Sequence, residues 1–233
     1  MAEILEVAQS RRALLRSAVC AAGGLAVSSC VGPAAKLAEA PRPIPIPVAP
    51  VPVQVAKAGP AAPANIRPEL FKRAIAALDR HASRIPTHDR VAIVDFAQPS
   101  HRPRLHLVNL GTGACESFLV SHGVGSDPGH TGLLQRFSNE PNSEASSEGA
   151  FLTADYYVGK HGDSQRLLGL DPTNNNAYDR AIVVHSAWYS NAEMIAQHGK
   201  LGRSQGCFAV GERELAKVFE RLGPGRMIYS AKA

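Results

Sequence analysis

Two residues in this 233-residue chain have the type and setting for covalent catalysis. Cys207 ends the small-residue loop Gly202-Arg203-Ser204-Gln205-Gly206-Cys207, and His185 ends the β-branched apolar run Ile182-Val183-Val184. A thiol attacks as its thiolate, and an imidazole can take the proton and later return it to an amine. Glycine beside the thiol admits close approach of backbone and substrate. The backbone N–H groups of Cys207, Gly206 and Gln205 can donate to an acyl oxyanion, and Arg203 can hold a carboxylate in a charged fork. A helical pattern follows Cys207, so a helix N-terminus is a second expected aid to the thiolate. Spacing alone makes this pair a candidate, since a single Cys and a distant His are common. The structural alternatives are a core histidine at 185, a surface charge at 203 and a Cys115–Cys207 disulfide in an oxidising compartment.

Those side chains need a scaffold, and the pattern from Asn65 onward supplies one. Pro68 and Glu69 open a helix with apolar residues at helical spacing from Phe71 to Ile85, and Pro86 stops it. The period then shortens: residues 91–96, 104–110 and 116–121 read as strands, with Gly111-Thr112-Gly113 as a turn. Residues 122–149 are polar and glycine-rich, a loop long enough to be either functional or disordered. Strands follow at 149–158 and 166–170, then the strand ending at His185, a short helix at 190–198, an amphipathic helix carrying Leu215, Val218, Phe219 and Leu222, and a closing strand at 226–230.

The first 64 residues differ. Arg11-Arg12 precede an uncharged stretch rich in Ala, Gly and Ser, which reads as a twin-arginine-like export signal over residues 1–30. Val27-Ser28-Ser29-Cys30 resembles a lipobox, making Cys30 a candidate for lipidation and membrane anchoring, with ordinary cleavage nearby as the alternative. Residues 31–64 form a proline-rich linker; ten of the 17 prolines lie in residues 33–68. An extended polyproline segment of this kind gains about 3.1 Å per residue. The net charge of +5 is spread thinly, without a basic run or aromatic-basic interleaving, which argues against nucleic acid as a partner. No His-x-x-x-His or Cys-x-x-Cys spacing suggests a metal site.

Several stretches together resemble the murein L,D-transpeptidase (YkuD-type) catalytic domain, in the branch whose nucleophile motif reads Gly-Arg-Ser-x-Gly-Cys. They are Val184-His185-Ser186-Ala187-Trp188-Tyr189, Leu201 to Cys207, His122-Gly123-Val124-Gly125-Ser126, Phe137-Ser138-Asn139, Ser147-Glu148-Gly149-Ala150-Phe151 and Gly159-Lys160-His161-Gly162. The resemblance implies an α+β, β-rich fold over residues 65–233, a mixed β-sandwich with flanking helices, in an exported protein of the periplasm or cell envelope. It implies that Cys207 attacks the third residue of a peptidoglycan stem peptide, expels D-alanine and leaves a thioester, which an amine or water resolves. His185 is then the base, and Ser204, Gln205 and Gly206 the supporting loop. Arg203, Ser186 and His161 fall on the substrate side, where His161 is either a contact or a turn residue. No cofactor is implied, and acylation of Cys207 by carbapenems is. The chain departs from the commoner motif at Gln205, where that motif has His, and at Phe208-Ala209, where Arg or Asn follows. A carboxypeptidase and a non-catalytic wall-binding module are the competing readings.

Overall fold

The computed structural model describes residues 60–232. The export segment, Cys30 and the linker up to residue 59 lie outside the described residues. The element order is α1 (Pro68–Arg80), β1 (Arg90–Asp95), β2 (Leu105–Asn109), β3 (Cys115–Phe118), β4 (Gly149–Gly159), β5 (Gly162–Gly169), β6 (Val183–Ser186), α2 (Glu193–His198), β7 (Phe208–Val210), α3 (Leu215–Leu222) and β8 (Met227–Ala231). Among the described residues no helix is long and apolar enough to cross a membrane.

All eight strands form one mixed sheet in the order β3-β2-β1-β8-β4-β5-β6-β7. Two neighbouring pairs are parallel, β1 with β8 and β6 with β7; the rest are antiparallel. The chain leaving edge strand β3 reaches the opposite edge, where Ser121 bridges Ala209 of β7. The two edges are thereby brought together around an apolar interior. Side-chain alternation sorts the central strands. Ala92, Val94 and Ile228 face that interior with Phe151, Phe208 and the buried face of α3. Val91, Ile93, Met227 and Tyr229 face the other way, against Leu70, Phe71 and Ala74 of α1.

The helix expected to run to Ile85 ends at Arg80. His81 leaves the helical region (φ −103°, ψ 13°), and its Nε2 lies 2.8 Å from Asp171 Oδ1. Pro86 independently disfavours a helical residue 85. Strand β5 starts earlier than expected, at Gly162 instead of Arg166: the polar Ser164 and Gln165 join it because β4 and β6 pair with them on both sides. Cys207 does not run into a helix. It leads into β7, whose three residues are all buried, and α3 starts only at Leu215.

Phe208 is the anchor of that short strand. Its ring stacks on Phe96 at 6.1 Å and meets Phe151 edge-on at 5.4 Å. Truncating a fully buried phenylalanine costs about 3–5 kcal/mol. Phe208→Ala is expected to lower urea-unfolding stability by that amount, while Phe208→Leu keeps most of it.

Candidate active site

The parallel β6–β7 ladder sets Val184 beside Phe208 and His185 beside Ala209. Val184 and Phe208 face the apolar interior, so alternation turns His185, Ala209 and Cys207 to the opposite face. Cys207, the residue before β7, then lies diagonally across from His185 on the same face.

The imidazole is 1% exposed and its Nδ1 lies 2.8 Å from the carbonyl oxygen of Ser186. A carbonyl can only accept, so Nδ1 carries the hydrogen and Nε2 keeps the lone pair. Burial pushes this ring down to about 4, and the neighbouring His161 and Lys160 push the same way. The thiol is 7% exposed and donates to the carbonyl of Ala181 at 3.5 Å. Ala181 sits at φ 51°, a left-handed conformation uncommon for alanine. Burial raises the thiol above its ordinary range, against the opposing pull of the Val183 backbone N–H, Lys160 and Arg180. The resting pair is therefore a neutral thiol and a neutral imidazole, not the thiolate pair expected, and no helix N-terminus assists it. Cys115 and Cys207 are both free, which removes the disulfide alternative.

The loop before the thiol is held largely by its own atoms. Ser204 Oγ donates to the Cys207 carbonyl at 2.7 Å and accepts the Gly206 N–H at 3.2 Å. The Gly206 N–H, expected as an oxyanion donor, is thus already bonded. Gly206 has φ 113°, and a Cβ on Gly123 would come within 2.8 Å of its backbone nitrogen, so two glycine backbones meet here. Gln205 is exposed and its Nε2 donates to Glu144 at 2.9 Å. Arg203 differs from the expected open fork: its Nη1 donates to the carbonyls of Asp127 and Pro128, tying the loop down. Ser186 contributes its carbonyl to His185. His161 stacks on His185, ring centroids 4.3 Å apart.

Two sets of residues that sequence reasoning missed hold the surrounding loops. The first is buried: Arg104, His122 and Asp127 are each at most 1% exposed. Arg104 donates to Val120 O and to His122 Nδ1, both at 2.8 Å from Nη2, which leaves the hydrogen on His122 Nε2, 3.4 Å from Asp127 Oδ2. Burial and Arg104 hold His122 down to about 3, and burial lowers Arg104 to about 9. His122 O accepts from Ser204 N at 2.9 Å and Val124 N donates to Ser204 O at 2.7 Å, so this cluster is wired to the loop that carries Cys207. The second is Arg180, which bonds Ser138 O and Ser147 Oγ at 2.7 Å, Ser143 Oγ at 3.0 Å and Ala145 O at 2.5 Å. It orders the long loop and lends positive potential to Cys207. Only its position just before an apolar strand hinted at a role. Among the described residues no three His, Cys, Asp or Glu side chains converge as a metal site would require.

A buried thiol and a base-form imidazole thus share one face of a mixed sheet, and the Gly123 and Gly206 backbones meet in the loop before the thiol. The model of the L,D-transpeptidase catalytic domain matches residues 62–230, and the chain belongs to that family. No curated protein sequence matches it. Similar solved structures include an L,D-transpeptidase from Mycobacterium smegmatis, with 13% identity, TM-score 0.37 and coverage of 61% of this chain and 58% of that one. Another, from Stackebrandtia nassauensis, has 15% identity, TM-score 0.37 and coverage of 62% and 56%. A third, from Mycobacterium tuberculosis, has 12% identity, TM-score 0.37 and coverage of 62% and 58%. The chain spans less than three fifths of the length of each.

The site makes two predictions. Alkylation of Cys207 by iodoacetamide is expected to rise with pH beyond the ordinary thiol range near 8.5, and Lys160→Gln is expected to move that rise higher still. The second concerns stability. His106, His122 and His185 are all depressed by burial, whereas an unfolded chain protonates histidine near 6.5. Below that pH the unfolded state binds protons that the native state excludes, so stability falls as pH falls, by up to about 1.4 kcal/mol per pH unit per histidine. For His185 the loss levels off near 4 and for His122 near 3. Urea midpoints measured from about pH 7 to about pH 5 are expected to decline steadily.

Proposed function

We propose that this protein is an L,D-transpeptidase acting on peptidoglycan stem peptides, with Cys207 as nucleophile and His185 as its base. The observation that carries the reading is the Nδ1–H bond of His185 to the Ser186 carbonyl, which leaves Nε2 as an acceptor on the face shared with Cys207. Family membership supports the reaction class. In this reading Nε2 takes the thiol proton as Sγ attacks the carbonyl of the third stem residue. The tetrahedral oxyanion collapses, the bond to the terminal D-alanine breaks, and the His185 imidazolium returns the proton to the leaving amine. A second amine then attacks the thioester, His185 removes its proton, and the thiolate departs and is reprotonated. Starting from a neutral pair keeps an uncompensated charge out of a buried site until substrate arrives.

The exported location belongs to the same reading, as do the anchor at Cys30 and a linker that would hold the catalytic domain off a membrane; all rest on the sequence of residues 1–64. The test uses the full chain, wild type and Cys207→Ala, with a disaccharide tetrapeptide and mass spectrometry. Loss of D-alanine with a crosslinked dimer is the expected result, and the variant is expected to lose a thousandfold or more, roughly as nucleophile removal does elsewhere. Tripeptide alone means that water is the acceptor and the enzyme is a carboxypeptidase. Binding with neither product nor acyl-Cys207 would replace the enzyme with a wall-binding module.

A further inference from the structure

The motif Gly159-Lys160-His161-Gly162 forms the tip of the β4–β5 hairpin, where Gly159 pairs with Gly162 and Lys160-His161 make the turn. Gly162 adopts φ 74°, and neither Lys160 nor His161 has a positive φ. Turn positions of this kind accept most residue types, so hairpin geometry does not call for an imidazole at 161. The residue is exposed, and among the described residues its ring makes no hydrogen bond. What it does make is a near-parallel stack on His185, with centroids 4.3 Å apart and planes 20° from parallel. Strand β5 brings it there, because Ser164, three residues on, pairs with His185.

We propose that His161 is a positioning residue for His185: the hairpin tip clamps one face of the ring while the Ser186 carbonyl holds its Nδ1 edge. The Nδ1 bond alone fixes one point of the ring and leaves it free to tilt; the stack removes that freedom and keeps water off the same face. The orientation of Nε2 is thus coupled to the position of the hairpin. Titratable groups facing the ring are His161 and Lys160 from the hairpin and the Cys207 thiol from the neighbouring strand. This inference rests on the assignment of His185 as the base.

The experiment compares full-length wild type, His161→Phe and His161→Ala by the kinetics of D-alanine release across pH and by NMR titration of the ring of His185. Phenylalanine preserves the stack and the burial but removes an imidazole that disfavours protonation of its neighbour. His161→Phe is expected to hold kcat within about twofold of wild type while the acidic limb moves to higher pH. His161→Ala is expected to lose roughly ten- to hundredfold in kcat with little change in KM, as small misplacements of catalytic groups do. Its limb should move further, towards the ordinary histidine value near 6.5. A wild-type rate and limb in His161→Ala would overturn the proposal. So would equal impairment of both variants, or a loss confined to KM, each of which means that the imidazole meets substrate directly. If the wild type releases no D-alanine, the enzymatic reading fails separately, and the titration still decides: a His185 resonance that titrates identically in all three proteins overturns the clamp, and a shift in His161→Ala upholds it.

Discussion

The parallel pairing of β6 with β7 is the contact on which the site depends, and it is only three residues long. A ladder that short has little strength of its own. It is held by Phe208, locked between Phe96 and Phe151, and by the bridge from Ser121 to Ala209 that joins the sheet's edges. Because side chains alternate, fixing Phe208 inward fixes Cys207 outward. The same interior face takes Val184 and thereby turns His185 towards the thiol's side. Core packing thus sets the direction of both the thiol and the imidazole, with no hydrogen bond needed between them.

Desolvation outweighs nearby charge in this site. Lys160 and Arg180 both favour a thiolate, yet burial leaves the sulfur above its ordinary range. Around it, the polar groups are paired with notable economy: Ser204 serves two backbone groups and Arg180 four oxygen atoms. Arg104 does the same at the buried end of the long loop, where the neutral His122 stands between its charge and that of Asp127. An isolated charge at such depth would be costly; this arrangement spreads compensation over three side chains.

The closeness of His185 to the loop of Cys207 was legible because each sits at a conspicuous boundary, an apolar run ending in His185 and a glycine-framed loop ending in Cys207. Strand β7 was not, since Phe208-Ala209-Val210 is too short to show a period and the stronger helical pattern beginning at Leu215 overshadowed it. The polar half of β5 was hidden for a related reason: its strand character comes from partners on both sides. Residues 122–149 read as loop, and up to residue 148 they are loop apart from one 3-10 turn at Val124–Ser126; their order comes from Arg104, Asp127 and Arg180, whose partners lie far away in sequence or within the loop itself. Arg203 has the right type for gripping a carboxylate, but only folded geometry shows that one of its guanidinium nitrogens, Nη1, is taken by backbone carbonyls.

The bond from Cys207 to the carbonyl of Ala181 also bears on the chemical lifetime of the protein. Oxidation of cysteine begins from the thiolate and needs access to the sulfur. A sulfur on a buried residue, kept protonated by burial and pointed at a carbonyl, withholds both requirements. The left-handed turn at Ala181 that places this carbonyl therefore acts as a shelter: peroxide or a stray disulfide meets a thiol in its least vulnerable form.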